Sequence, residues 1–372
     1  MGRQSRSFAS IMWSTTPATK ILGVQYPILQ GPFGGNLSTV KLAAAVSNLG
    51  GVGGFGAYTL SPAEIAKANE ELRKATDKPY NLNLWVNDSD TPANGVSLDA
   101  FEQVKKLFGP YFEEAGVPLP ATLPTVSSSF ENQVQVVLDV RPPVFSFLFG
   151  IPSADILEQC RRKGIVTAGA ATTLDEALAL EAAGVDLIIA SGMEAGGHRP
   201  SFLAPAETSL VGTFVLVQLI KDRVRRIPVI AAGGIATGKG IAAAMALGAD
   251  AVQIGTAFLA CEESGAPDFH REMLFSDAAK FTVLTRAFTG RLGRGLKNRV
   301  AGEMVGKEKE LLPFPVQSRF MGPLRQAAIA LKKWELIFLW GGQIAPLLKH
   351  RRAADLMTAL VEEATAYLSN SR

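Results

Sequence analysis

The 372-residue chain reads as an α/β protein: a (β/α)8 TIM barrel with a smaller second domain inserted after strand eight. Three observations predict this. Short apolar runs alternate with amphipathic segments from Pro27 to about Ala260, the pattern of parallel strands joined by helices. Apolar residues make up 47% of the chain and charged residues 19%, against roughly 25% charged in an average globular protein, as expected when strands are buried on both faces. Two pieces also recur. Ile165–Gly169 is echoed by Pro228–Gly233 63 residues later, and Gly184–Ile189 by Gly248–Gln253 64 residues later. Successive quarters of an eightfold barrel give such a repeat of two βα units, which favours it over an open, doubly wound sheet.

The predicted strands are Pro27–Gly31, Val52–Gly56, Tyr80–Val86, Val144–Phe149, Ile165–Ala168, Asp186–Ala190, Pro228–Ala232 and Ala251–Gly255. Between them, Thr39–Leu49, Pro62–Ala75, Leu98–Glu114, Ala154–Lys163, Leu174–Ala183, Thr213–Val224 and Lys239–Leu247 read as helices. Gly164, Gly184 and Gly248 stand where a left-handed residue would close a helix. After the eighth strand the alternation stops. Residues 1–20 are expected to be a flexible leader, 21–263 the barrel, and 264–325 a small substrate or lid domain beside its mouth. Residues 326–372 are expected to pack on the barrel, with helical patterns over Pro323–Trp334 and Arg351–Tyr367.

Composition excludes several classes. The net charge is +3, so nothing draws the whole chain to nucleic acid. The basic run Arg286, Arg291, Arg294, Lys297 and Arg299 reads as a solvated face, with one arginine steering an anionic substrate as the alternative. Cys160 and Cys261 cannot frame a disulfide-rich fold and fit a reducing, cytoplasmic compartment. With only His198, His270 and His350, no multi-histidine metal site is expected. The longest apolar candidate, Leu336–Leu348, contains Gly341, Gly342, Gln343 and Pro346, so no membrane span is expected. The leader carries Arg3, Arg6 and several serines but no acid before Glu64; this is faintly like a transit peptide and is read as a flexible tail. Oligomeric state has no signature in the sequence.

Two phosphate-loop look-alikes fail on context. Gly51-Val52-Gly53-Gly54-Phe55-Gly56 follows a helix and forms a strand, whereas the dinucleotide fingerprint runs from strand through glycines to helix. Gly233-Gly234-Ile235-Ala236-Thr237-Gly238-Lys239-Gly240 ends on glycine where a hydroxyl is needed to hold Mg²⁺. At the ends of the seventh and eighth barrel strands, however, Gly233, Gly234, Gly255 and Thr256 could hold a phosphate through main-chain amides. His198 lies in the glycine-rich loop leaving the sixth strand, where a neutral imidazole could remove a carbon-bound proton or bind an anion. His270 and His350, flanked by charged residues, are expected to be solvated.

Taken in order, Pro27-Ile28-Leu29-Gln30-Gly31-Pro32, Asn81-Leu82-Asn83-Leu84, Glu194-Ala195-Gly196-Gly197-His198-Arg199, Ala231-Ala232-Gly233-Gly234-Ile235 and Gln253-Ile254-Gly255-Thr256 resemble the nitronate monooxygenases, FMN-dependent TIM barrels once called 2-nitropropane dioxygenases. Thr289-Gly290-Arg291 and Trp340-Gly341-Gly342-Gln343 extend the likeness more loosely. The resemblance implies that Gln30, Gly31 and Pro32 lie beneath the flavin ring and that Asn83 hydrogen-bonds it. It also implies that Gly196 and Gly197 approach the ribityl-phosphate, that Gly233, Gly234, Gln253, Ile254, Gly255 and Thr256 grip the phosphate, and that His198 is catalytic. Ser191 stands beside the flavin where the family usually has glutamine, and Pro200 replaces a glycine often found after the arginine. The implied reaction is oxidation of alkyl nitronates, or nitroalkanes, by FMN and O2 to a carbonyl compound and nitrite. The alternative is an FMN-dependent NAD(P)H reductase of the enoyl-acyl-carrier-protein or quinone type. A flavin-free phosphate-sugar barrel is a further reading from the phosphate turns alone.

Overall fold

The computed structural model describes residues 13–86, 95–123 and 129–369. Eight parallel strands form one sheet: β1 Ile28–Gln30, β2 Gly53–Gly56, β3 Tyr80–Trp85, β4 Val144–Leu148, β5 Val166–Ala171, β6 Leu187–Ser191, β8 Val229–Ala232 and β9 Ala251–Ile254. A two-residue strand, β7 Gly197–His198, intervenes, so the seventh and eighth predicted strands are β8 and β9. β1 pairs with β9, and the parallel bridge Leu29↔Val52 joins it to the approach of β2, closing the (β/α)8 barrel. The predicted strands match within one or two residues, except that β5 runs to Ala171 instead of Ala168. Small side chains (Ala168, Gly169, Ala170, Ala171) hide the alternation there.

Period-two alternation sorts the barrel side chains into two layers. Ile28, Leu82, Phe145, Ile188, Val229, Val252 and Ile254 face the helices in the larger core. Leu29, Val52, Val144, Leu187, Ile189, Ile230 and Ala251 fill the barrel interior, and Ala18 and Leu22 of helix Pro17–Leu22 join them. Val144, Leu187 and Ala251 open their strands, so this helix plugs the N-terminal end. Trp13 is buried as well and donates from Nε1 to Thr365 Oγ1 at 2.9 Å. Residues 13–20 therefore pack as part of the fold, a correction to the flexible leader expected over 1–20; the apolar residues Trp13, Ala18 and Leu22 are the reason. Residues 1–12 lie outside the described residues.

Gly164, Gly184 and Gly248 have φ of +70°, +78° and +98°, the left-handed closures that the sequence suggests. The predicted helix Leu98–Glu114 forms with those bounds, but the outer layer between β3 and β4 is supplied by Phe130–Val140. Phe101, Val104, Phe108 and Phe112 of the former pack instead into a second core with Leu259, Leu274, Phe288, Val316, Phe320, Leu324 and Leu339. That core contains an antiparallel pair, β10 Thr282–Thr285 and β11 Gly293–Leu296, to which β7 adds a third strand. The C-terminal helix, Ala353–Ser369, returns to the barrel wall and packs on Gly238–Ala246. Among the described residues no helix is long and apolar enough to cross a membrane.

Candidate active site

A cavity of about 590 Å³ opens at the C-terminal ends of the barrel strands, the end where (β/α)8 enzymes carry their chemistry. Gly31, Pro32, Ser191, Gly196, Gly197, His198, Gly233, Gly234, Gln253, Gly255 and Thr256 all line it, so eleven of the fourteen residues expected at a site share one space. The other three lie beneath or behind it. Gln30 is buried, with Nε2 donating to the Gly31 carbonyl at 2.6 Å and Oε1 accepting from the Gly54 N–H at 2.9 Å. Asn83 Nδ2 donates to Ser146 Oγ at 2.9 Å and to its carbonyl at 3.1 Å. Ile254 points outward into the larger core. Gln30 and Asn83 thus brace the floor of the cavity.

One end of the cavity is main chain. Gly233 and Gly234 have φ of +104° and +70°, values natural to glycine, and they turn the chain from β8 toward Thr237, which caps helix Gly238–Ala246. A Cβ placed on Gly255 would find nothing nearer than Phe33 Cε1 at 3.8 Å, so packing does not demand glycine there. Gly255 leaves free space beside the β8 turn, a cradle that a side chain would fill. Gln253 Oε1 is buried and has no hydrogen-bond partner among the described residues. An orphaned buried acceptor beside a glycine cradle fits a ligand that brings its own donor and an anionic tail. Glu194 braces this end: its carboxylate accepts the Thr213 N–H at 3.0 Å. Thr213 Oγ1 in turn lies 3.0 Å from both Glu194 Oε2 and the Gly233 carbonyl.

The other end is side chain. His198 leaves β6 through the glycine loop and is pinned in β7, which pairs in register with Gly293 and Arg294 of β11. Its ring lies edge-on to Trp85 at 5.0 Å and tilted against Trp340 at 4.7 Å, with Phe314 and Phe149 beyond at 6.2 and 6.3 Å. Burial among these rings, with the Arg291 guanidinium nearby, pushes the His198 pKa down to about 3. The imidazole is therefore neutral at pH 7, able to accept a proton and not a standing cation. Arg291 is itself stacked over Phe149 at 3.9 Å and Phe314 at 4.3 Å.

Two expectations are corrected here. The basic run is not wholly a solvated face. Arg294 is buried, with Nε donating to the Met193 carbonyl and Nη1 to Thr282 Oγ1, both at 2.9 Å. The antiparallel pairing of β11 with β7 turns it inward. His270, expected in solvent, is buried and its Nε2 sits 2.9 Å from the Trp340 carbonyl. A carbonyl only accepts, so Nε2 carries the proton. Trp340 thereby holds its place in a strap whose Gly342 N–H donates to Thr256 Oγ1, just past β9, at 2.9 Å and whose Gln343 N–H donates to the Glu194 carbonyl of the histidine loop at 3.0 Å.

Trp85, Phe149, Thr289, Phe314 and Trp340 are site residues that sequence reasoning missed. Only Thr289-Gly290-Arg291 and Trp340-Gly341-Gly342-Gln343 carried a signal, and that came from the loose resemblance. With this geometry in place, likeness to known proteins is informative. The sequence model of the nitronate monooxygenase family matches residues 15–363. The chain belongs to the nitronate monooxygenase family. A "Probable nitronate monooxygenase" of Staphylococcus haemolyticus is 36% identical, covering 96% of this chain and 99% of the relative. The solved nitroalkane oxidase of Streptomyces ansochromogenes superposes with a TM-score of 0.86 at 34% identity, covering 96% and 99% of the two chains. FabK from Thermotoga maritima gives 0.74 at 31%, covering 96% and 98%. As a member of this family, the protein is a flavin-dependent oxidoreductase acting on a small molecule, and the cradle, the orphaned Gln253 oxygen and the neutral imidazole suit that chemistry.

Proposed function

We propose that the protein uses FMN and O2 to oxidise alkyl nitronates, and nitroalkanes after proton removal, to a carbonyl compound and nitrite. The observation that carries this reading is one cavity joining a main-chain glycine cradle to a half-buried, neutral histidine set among aromatic rings. Gly233, Gly234, Gly255 and Thr256 would hold the single phosphate of FMN, with Gly196 and Gly197 against its ribityl chain. Gly31, Pro32, Ser191 and Gln253 would lie against the ring, and Gln30 and Asn83 would support that wall from below. When bound, FMN would supply the redox chemistry, taking electrons from the nitronate and passing them to O2.

His198 would act on the neutral nitroalkane. The substrate C–H bond breaks, its electron pair stays on the substrate as the nitronate, and the proton forms an N–H bond on the imidazole. The neutral ring has a lone pair to accept the proton, and the nitronate anion formed beside it would offset the burial that weakens it as a base. The decisive experiment mixes FMN-loaded protein with propionate 3-nitronate, and separately with a neutral nitroalkane, in air and assays nitrite. Nitrite from both is expected, with His198→Ala cutting the nitroalkane rate by about a hundredfold or more. No nitrite from wild-type protein and the nitronate overturns the reading. The second reading is an FMN-dependent NAD(P)H reductase; rapid anaerobic bleaching of the flavin by NADPH, without nitrite release, would establish it instead.

A further inference from the structure

One hydroxyl decides which nitrogen of His198 carries the proton. Thr289 Oγ1 lies 2.9 Å from His198 Nε2. The same oxygen donates to the Arg291 carbonyl at 3.1 Å and accepts the Arg291 N–H at 3.3 Å. A hydroxyl has one proton and two lone pairs. The carbonyl can only accept, so the proton goes there. The Arg291 N–H takes one lone pair, and the other is left to accept from Nε2–H. A neutral imidazole has a single N–H. Nδ1 therefore keeps its lone pair, and it makes no hydrogen bond to any described residue, while His198 lines the cavity.

We propose that Thr289 is a positioning residue that holds His198 as the Nε2–H tautomer and so makes Nδ1 the atom that takes the substrate proton. The role in catalysis rests on His198 acting as the base, as proposed above; the tautomer assignment does not. Thr289 sits in the turn between β10 and β11, so the hairpin that carries β7 also fixes the protonation pattern of the histidine at its edge. When Nδ1 becomes protonated, Nε2–H still points to the same acceptor, and the ring need not turn during the transfer.

The test reads the tautomer directly. Long-range ¹H–¹⁵N spectra of protein labelled in its histidine rings, with and without FMN, contain signals from only three histidines, and His198→Ala assigns the one in question. A protonated Nε2 and a bare Nδ1 are expected in wild type and in Thr289→Ser, with Thr289→Val shifting to the other tautomer or to a mixture. In parallel, Thr289→Val should lower nitrite release from a neutral nitroalkane by about tenfold or more. The loss on the preformed nitronate, which needs no proton removal, should be much smaller, and Thr289→Ser should restore the nitroalkane rate.

An Nδ1–H tautomer in wild type overturns the proposal, as does Thr289→Val with both tautomer and rates unchanged. Equal losses on both substrates would reduce Thr289 to a structural role and overturn it too. If Thr289→Val does not fold, the wild-type and Thr289→Ser spectra decide. If wild type yields no nitrite from either substrate, the functional reading fails, while the spectra still judge the Thr289 assignment.

Discussion

The two ends of the cavity are built by opposite means. At the cradle, glycine turns after β8 and β9 leave room and expose main chain; the ligand-facing atoms come from two short contiguous motifs. At the histidine end, Trp85, Phe149, Thr289, Phe314 and Trp340 converge from segments up to 255 residues apart in the chain. The difference teaches where each job can be done. Holding an anionic tail needs donors and space, which backbone supplies locally. Keeping an imidazole neutral needs a dry wall, which only bulky side chains brought together by tertiary folding supply.

The largest effect that would sharpen this contrast lies at the histidine end. Burial, together with the nearby Arg325 and Arg271, pushes the His270 pKa down to about 4, although its bond to Trp340 opposes the shift. A histidine in the unfolded chain takes up a proton near pH 6.5. The folded state resists that proton until the pH nears 4. Stability is therefore full above about pH 6.5 and falls as acid is added, by about 3 kcal/mol from this group alone by pH 4. His198 adds to the same loss, since its folded pKa lies lower still. Chemical denaturation of wild type and His270→Gln across this range should show the variant losing less on acidification, because glutamine offers Trp340 a donor without titrating. Equal acid slopes would mean that His270 is hydrated and that the wall behind Trp340 is wet.

At the cradle the sharper comparison is between two glycines. A Cβ on Gly53 would fall 1.9 Å from the Ala43 carbonyl, inside packed backbone, so Gly53→Ala should destabilise the fold by about 1–3 kcal/mol. A Cβ on Gly255 would meet only Phe33 Cε1, at an ordinary contact distance of 3.8 Å. Gly255→Leu should change the stability of the flavin-free protein far less than Gly53→Ala does, yet weaken FMN binding by about tenfold or more, as expected when a side chain fills the space beside the main-chain donors. Thermal unfolding and flavin titration separate the two outcomes. A Gly255→Leu protein that unfolds early but binds FMN normally would show that this glycine serves packing and that the phosphate sits elsewhere.

The same pair of glycines shows what could be read from the sequence. The run Gly51–Gly56 imitates a nucleotide fingerprint by letter, and its place after a helix rightly excluded it. The structure adds the reason for the glycines: Gly53 and Gly54 let the second strand press against the backbone of Ala43 and Gln30. The barrel was legible because strand alternation and helix-closing glycines are local signals. The second core was not, because the apolar face of Leu98–Glu114 fits a barrel wall as well as it fits Phe288 and Phe320. Likewise His270 looks solvated from its charged neighbours Asp268 and Arg271, yet the short helix Asp268–Leu274 turns its ring inward. Neighbours in sequence say little about a side chain whose environment is set by residue 340.

Ser191 offers the smallest effect, and it tests whether the middle of the cavity belongs to either end. The residue is buried at the tip of β6 and lines the cavity, but what the fold uses is its carbonyl, which accepts from Arg199 Nη1 at 2.6 Å. Arg199 also donates to the Ser209 carbonyl from Nε at 3.2 Å and Nη2 at 2.6 Å, so the histidine loop is tied to β6 through main chain. Ser191→Ala keeps that carbonyl in place and removes only a hydroxyl. It should change stability by less than about 0.5 kcal/mol and leave FMN affinity near the wild-type value. Ser191→Gln, the residue usual in the family, adds bulk toward the cavity and should shift the flavin absorbance without unfolding the protein. If Ser191→Ala instead loses flavin, the hydroxyl is a direct cofactor contact, and side chains share the holding of FMN with the glycine turns.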